Sequence, residues 1–411
     1  MRYEKYKDCG VEWIGEIPEN WTLKKLKFLS DITTGNRDTV DAVEGGKYPF
    51  FVRSENIESI DTYSFDGVGI FTAGDGDIGK IVHFFMGKCD FHQRVYCIYN
   101  IRMNERYLYY FFSEHFKIPA ELSNSKSTVN SIRLPVLKNF VIPIPNDFEQ
   151  ENIARYLDYK TSKIDLIIKF LEEQKEKLEL YKRELIAEVV TKGLDKNIPT
   201  KDSGVDWIGQ VPEHWGIERI KWNFEIVKRQ DGREERPVLS ITQQGIKIKD
   251  IDKNDGQMAE SYEKYQLVEV GDYAMNSMDL LTGWIDCSKY EGVTSPDYRV
   301  FRLKNTSNHN REYFNYLFQM CYTRRIFYRL GQGVSNLGRW RLQREPFLNI
   351  EIPIPPKEEQ EEISAYLFQK ESEIKKLKDK IQLQIEKLRD YRKIVIHDAV
   401  TGKINVSGGE F

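Results

Sequence analysis

The chain carries 411 residues, 40% hydrophobic and 13% aromatic, enough to fill the cores of two or three domains and too apolar for a disordered chain. A net charge of −3, taken alone, argues mildly against nucleic acid as a partner, so the local distribution of charge has to carry any such reading. No run of eighteen apolar residues exists and the opening MRYEKYKDCG is polar, so neither a membrane span nor a signal peptide is expected and the location read from this is cytoplasmic. Cys9, Cys89, Cys97, Cys287 and Cys321 are scattered without a C-x-x-C pair, as reduced core thiols are, and the dispersed histidines offer no ligand spacing; no metal is expected.

The first element is a frame. Asp8–Trp21 (DCGVEWIGEIPENW) returns 194 positions later as Asp202–Trp215 (DSGVDWIGQVPEHW). The fillings that follow, Thr22–Val141 and Gly216–Glu351, share little identity, as expected of one scaffold carrying two different readers. Each filling reads as strands broken by Gly and Asp turns, then a short aromatic helix (ERYLYYFFSEHF and REYFNYLFQMCYTRRIFYRL), which predicts mixed α/β domains. The turn at Gly74–Gly79 is matched loosely with Gly271-Asp272-Tyr273, and QRVYCIY from Gln93 with DYRVFRL from Asp297.

Gly74–Lys80 (GDGDIGK) nearly satisfies a phosphate-loop pattern, but Ile81 stands where a magnesium-binding hydroxyl is needed, and Asp75 and Asp77 would repel phosphate. A tight turn is the better account, and a metal site built on these aspartates has no counterpart in the second half. No methyltransferase tetrapeptide, helicase loop or nucleophile elbow occurs, so no catalytic residue is assigned and a recognition role is favoured.

Two basic segments follow the short helices. Cys321–Arg344 holds Arg324, Arg325, Arg329, Arg339, Arg341 and Arg344 and no acid; His115–Lys138 holds Lys117, Lys126, Arg133 and Lys138 against Glu121 alone. Arg and Lys neutralise phosphates, and Arg and Asn form paired hydrogen bonds to base edges. The candidate DNA-contacting residues are Lys80, Arg94, Lys126, Asn130, Arg133, Arg324, Arg325, Asn336, Arg339 and Arg341. The competing reading is a solvated helix face and an ordinary loop.

Each half closes with the stretch that organises the chain. Ile142–Gly193 opens IPIP and returns 210 positions later, without a gap, as Ile352–Lys403. Apolar residues recur every seven positions at Leu157, Ile164, Leu171, Leu178 and Leu185, and at Leu367, Ile374, Ile381, Leu388 and Val395. Partial support comes from Ile153, Ile167 and Tyr181, and from Ile363, Leu377 and Tyr391, with Lys160, Gln174, Lys370 and Gln384 as polar seam positions. This period predicts a coiled coil between the two copies, a rod of roughly 65 Å at about 1.5 Å per residue; the competing expectation is that each helix packs on its own domain or pairs with another molecule. The expected domains are 1–141, a first reader domain; 142–193, a first spacer helix; 194–351, a second reader domain; and 352–411, a second spacer helix and tail.

The duplicated frame, the IPIP signature followed by E-Q and a heptad helix, and the two divergent fillings resemble, over essentially the whole chain, the specificity subunit of type I restriction-modification systems. The resemblance implies two α/β target recognition domains held apart by an antiparallel intramolecular helix pair with a pseudo-two-fold. Each domain would read half of a bipartite site on double-stranded DNA. It also implies modification subunits that use S-adenosylmethionine to methylate adenine, and restriction subunits that use ATP and Mg, so that this chain holds no cofactor and catalyses nothing. A protein-only coiled-coil scaffold and a self-sufficient nuclease or methyltransferase are the competing expectations.

Overall fold

The computed structural model describes residues 2–124, 131–230, 232, 236–250, 262–331 and 340–406. Its contacts fall into two compact units, Met1–Glu172 with Gln382–Phe411, and Glu173–Ile381. This division cuts both long helices, Asp147–Lys192 and Lys357–Val400, whereas the sequence reading kept each helix as a segment of its own.

In unit one the frame and the IPIP signature pair directly. Thr22–Lys25 runs antiparallel to Val141–Ile144, with Leu23 opposite Pro143. The filling between them folds as a six-stranded sheet in the order Asp31–Thr34, Val95–Tyr99, Phe65–Ala73, Val82–Phe91, Tyr48–Phe51 and Glu58–Ile60. Every pairing is antiparallel except that of Phe50 and Phe51 with Asp90 and Phe91. The helix Glu105–His115 starts where the Asn104 side chain accepts the Tyr107 amide at 2.9 Å, one of the donors a helix start leaves unpaired. Its aromatic face, Tyr107, Phe111 and Phe112, is fully buried in the core.

Unit two repeats this closure. Gly216–Arg219 pairs antiparallel with Glu351–Ile354, and the Asn310 side chain accepts the Tyr313 amide at 3.0 Å to start the helix Arg311–Thr323. The filling differs: a four-stranded sheet in the order Phe224–Val227, Arg299–Leu303, Tyr273–Met275 and Ile285–Cys287, with two separate strand pairs.

Each unit contains the start of one long helix and the end of the other, and the contacts that fasten them match residue for residue. In unit one Gln150 accepts the Asn104 amide and donates to the Pro145 carbonyl, both at 2.9 Å, while the buried Tyr107 hydroxyl bonds the Pro143 and Val400 carbonyls. In unit two Gln360 accepts from Asn310 and donates to Pro355, both at 2.8 Å, and the Tyr313 hydroxyl donates to the Val190 carbonyl at 2.9 Å. The frame tryptophans serve the same joints: Trp21 packs at Gly402 and Trp215 at Gly193. The repeated motif is therefore a clasp for a helix end.

The helices run antiparallel within each unit. Asp165 pairs with Arg392 at 2.9 Å and Glu172 with Arg389 at 3.0 Å in unit one; Glu179 pairs with Lys378, and Lys182 with Glu371 at 2.7 Å, in unit two. Along the predicted heptad line Leu157, Ile164, Leu367, Ile374 and Val395 are buried, and Leu171, Leu178, Leu185, Ile381 and Leu388 are half-buried. The second line differs from expectation. Ile167, Tyr181, Leu377 and Tyr391 are about half exposed, and Gln174 and Gln384 face solvent. Thr161, Ile168, Lys175 and Lys182, and on the other copy Glu371, Lys378, Ile385 and Arg392, occupy that line instead. Long Lys and Arg side chains cover apolar surface with their stems while their charges reach out, so polar residues fill a seam that an apolar pattern assigns elsewhere.

Candidate nucleic-acid interface

In unit one the Gly74–Lys80 turn is fixed by backbone on several sides. The Gly74 amide donates to the Arg94 carbonyl and the Gly74 carbonyl accepts from the Ile132 amide, each at 2.7 Å, while Asp75 bridges to Ser131. At Gly79 the backbone has φ +68°, and a Cβ there would come within 2.6 Å of the Lys117 backbone. The turn therefore gathers Lys80, Arg94 and the segment leading into Arg133, and the side chains of Lys80, Arg94 and Arg133 are exposed. Lys80 pairs with Asp77 at 2.9 Å, which lowers the Asp77 carboxyl and raises the Lys80 amine.

Asp75 has a different role from Asp77. Its oxygens take one guanidinium each, Arg94 at 2.7 Å and Arg53 at 2.9 Å, and its side chain is only 14% exposed against 63% and 40% for the two arginines. Burial pushes the Asp75 carboxyl up, but the hydrogen bonds from Arg94 and Arg53 outweigh it and hold the group below its ordinary range. An open hollow of about 270 Å³ lies beside it, lined by Thr39, Arg53, Ser54, Glu58 and Asp75 among others. Arg53 escaped the sequence reading, because nothing local to it signals a partner 22 residues away.

The matching turn of unit two is not Gly271-Asp272-Tyr273. The Leu342 amide, 210 positions beyond Ile132, donates to the Ser277 carbonyl at 3.1 Å, so Ser277 stands where Gly74 does. Asp272 lies at the other end of its strand, buried and paired with Arg229. The strand match shifts too: Ile32 opposes Ile98, and its counterpart Ile226 opposes Phe301, which sets Arg94 rather than Gln93 against Asp297. A one-residue slip of this kind exchanges the faces of a strand. Tyr96 and Arg299 thus become equivalent, the first donating to the Ile132 carbonyl at 3.2 Å and the second to the Leu342 carbonyl at 2.7 Å.

Arg341, exposed, flanks this anchored Leu342 as Ser131 flanks Ile132. Arg324 is turned to the first long helix, where it pairs with Glu184. Arg325, in the left-handed region at φ 58°, lines a cavity with Glu179, Lys182, Trp284 and Glu371, also against the helices. Arg324 and Arg325 thus face the helices. Lys126, Asn130, Asn336 and Arg339 lie outside the described residues.

Among the described residues no group of three or more His, Cys, Asp and Glu is placed to hold a metal, and no helix is long and apolar enough to cross a membrane. Cys89, Cys97, Cys287 and Cys321 are buried, which pushes their thiols up, Cys89 and Cys287 to about 12. What the exposed faces offer is guanidinium and ammonium groups on rigid turns, different in the two units.

Residues 18–179 and 244–387 match the family described as the type I restriction modification DNA specificity domain, well over half of the chain. The chain belongs to the type I restriction-modification DNA specificity family. It is 27% identical over 439 residues to the MjaVIII specificity subunit of Methanocaldococcus jannaschii, covering 96% of this chain and 95% of that one. It is 28% identical over 151 residues to the EcoDI specificity subunit of Escherichia coli, a match spanning 37% of this chain and 33% of that subunit. A solved chain from work on complex assembly and conformational transition of the type I R-M system shares the fold at a TM-score of 0.65 and 15% identity, covering 94% of this chain and 99% of that one. Specificity subunits recognise DNA sequence and are non-catalytic, and so is this one.

Proposed function

We propose that each unit reads one half of an asymmetric, interrupted site on double-stranded DNA and that the helix pair sets the unread gap. The carrying observation is that the clasp contacts of the two units coincide while their cationic faces do not: Arg53 and Arg94 on Asp75 in one, Arg341 beside Leu342 in the other. Identical mounting with different faces suits two unlike half-sites. Lys80, Arg94, Lys126, Asn130, Arg133, Asn336, Arg339 and Arg341 are the proposed contacts, with Arg neutralising phosphate or forking onto a base edge. Arg324 and Arg325 are better suited to supporting the domain on its helix.

In this reading the chain works in the cytoplasm with modification subunits that methylate adenine using S-adenosylmethionine, and with restriction subunits that use ATP and Mg. Mapping methylated adenines across the genome of cells carrying this chain tests it. One motif of two unlike halves separated by a fixed gap is expected; a continuous or palindromic motif would overturn it.

A further inference from the structure

We infer that Asp75 is a positioning residue for base recognition: it holds Arg53 and Arg94 so that their free guanidinium edges read a guanine in the half-site of unit one. This rests on the proposed DNA reading and adds to it a residue pair and a base. A carboxylate beside DNA repels phosphate, so its presence among exposed cations calls for a role that offsets the repulsion. Here each oxygen accepts from a different guanidinium, at 2.7 and 2.9 Å, and the carboxylate is itself fixed by the Asp75 to Ser131 backbone bridge and the Gly74 anchors.

An exposed arginine is otherwise free to sample many rotamers, and ordering it opposes binding. Held by one terminal nitrogen on a rigid post, Arg94 and Arg53 keep their remaining donors, the planar fork that matches the O6 and N7 acceptors of guanine in the major groove. Two arginines share the one Asp75 carboxylate, so neither guanidinium is fully occupied by it. The Lys80 and Asp77 pair on the same turn has one cation for one acid, both exposed, and lacks this construction.

The test is selection of duplexes from a randomised library by the full-length chain, comparing wild type with Asp75→Asn, Arg94→Lys and Arg53→Lys. The lysine variants keep the charge and lose the fork. The expected result is that all three lose about tenfold or more of the preference for guanine at the same one or two positions of one half-site, with the other half-site unchanged and Asp75→Glu restoring part of the loss. If Arg94→Lys and Arg53→Lys select the wild-type site, the arginines serve only as charges and the inference fails while DNA reading stands. If Asp75→Asn weakens both half-sites alike, Asp75 is structural and the inference also fails. A wild-type chain that selects no sequence would overturn the DNA reading itself.

Discussion

His115 shows how one residue can make two equivalent joints behave differently. Its Nε2 lies 3.0 Å from His397 Nδ1, and its Nδ1 donates to the Phe111 carbonyl at 3.0 Å, so Nε2 is left to accept from His397. Burial lowers the His115 imidazole from the ordinary 6.5 to about 4, and His397 is lowered as well. The unfolded chain therefore takes up the proton first, and the stability held by the neutral pair is complete above about pH 6.5 and lost as the pH falls towards 4. Glu114 works in the opposite sense, because burial raises it to about 7 against the pull of Lys393 and Arg392. The His115 contribution is thus read as a difference: relative to His115→Gln, the wild type should lose unfolding stability as the pH goes from 7 to 5 in urea titrations. A difference that does not change with pH would remove the neutral pair. The corresponding residues of unit two, Cys321 and Ala187, are buried and carry no imidazole, so the pair itself has no counterpart in that joint.

At the scale of the element, the helix seam is decided by side-chain length as much as by hydrophobicity. Ile385 is 1% exposed on the second seam line, whereas Tyr391, apolar and seven-spaced with the predicted support, is 49% exposed. Ile385→Ala should cost about 2–5 kcal/mol, the range for emptying a packed aliphatic site. Tyr391→Ala should stay within about 0.5 kcal/mol, as surface changes do. Urea unfolding of the full chain measures both, and equal losses would return the seam to the line read from the apolar pattern. Of the ion pairs along the helices, Arg389 with Glu172 is exposed on both sides and contributes direction of pairing more than stability.

For the whole molecule, the two readers are expected to be independent. Arg341→Glu should change or abolish the half-site of unit two and leave that of unit one intact, because sites without shared partners act additively. Methylome mapping of cells carrying the variant reads this directly; a simultaneous change in both halves would mean that the domains do not read separately. The net charge of −3 sets no obstacle, since acids on the long helices, such as Glu179, Glu172 and Asp165, pair with Lys and Arg while Lys80, Arg94 and Arg341 stay exposed.

The repeats alone determined that the chain is two of one thing. The frame, the IPIP strands and the line through Leu157 and Leu367 are local patterns, and local patterns survive in a string of letters. The basic segments were legible for the same reason, although not which of their residues turn to the helices, as Arg324 does to Glu184. Tertiary structure alone decided that Tyr107 reaches Val400 and Tyr313 reaches Val190, that Ser277 rather than Gly271 matches Gly74, and that Arg53 meets Arg94 on one carboxylate. Each of these depends on residues brought together across a fold, where packing and backbone pairing choose the neighbour and spacing along the chain holds no record of it.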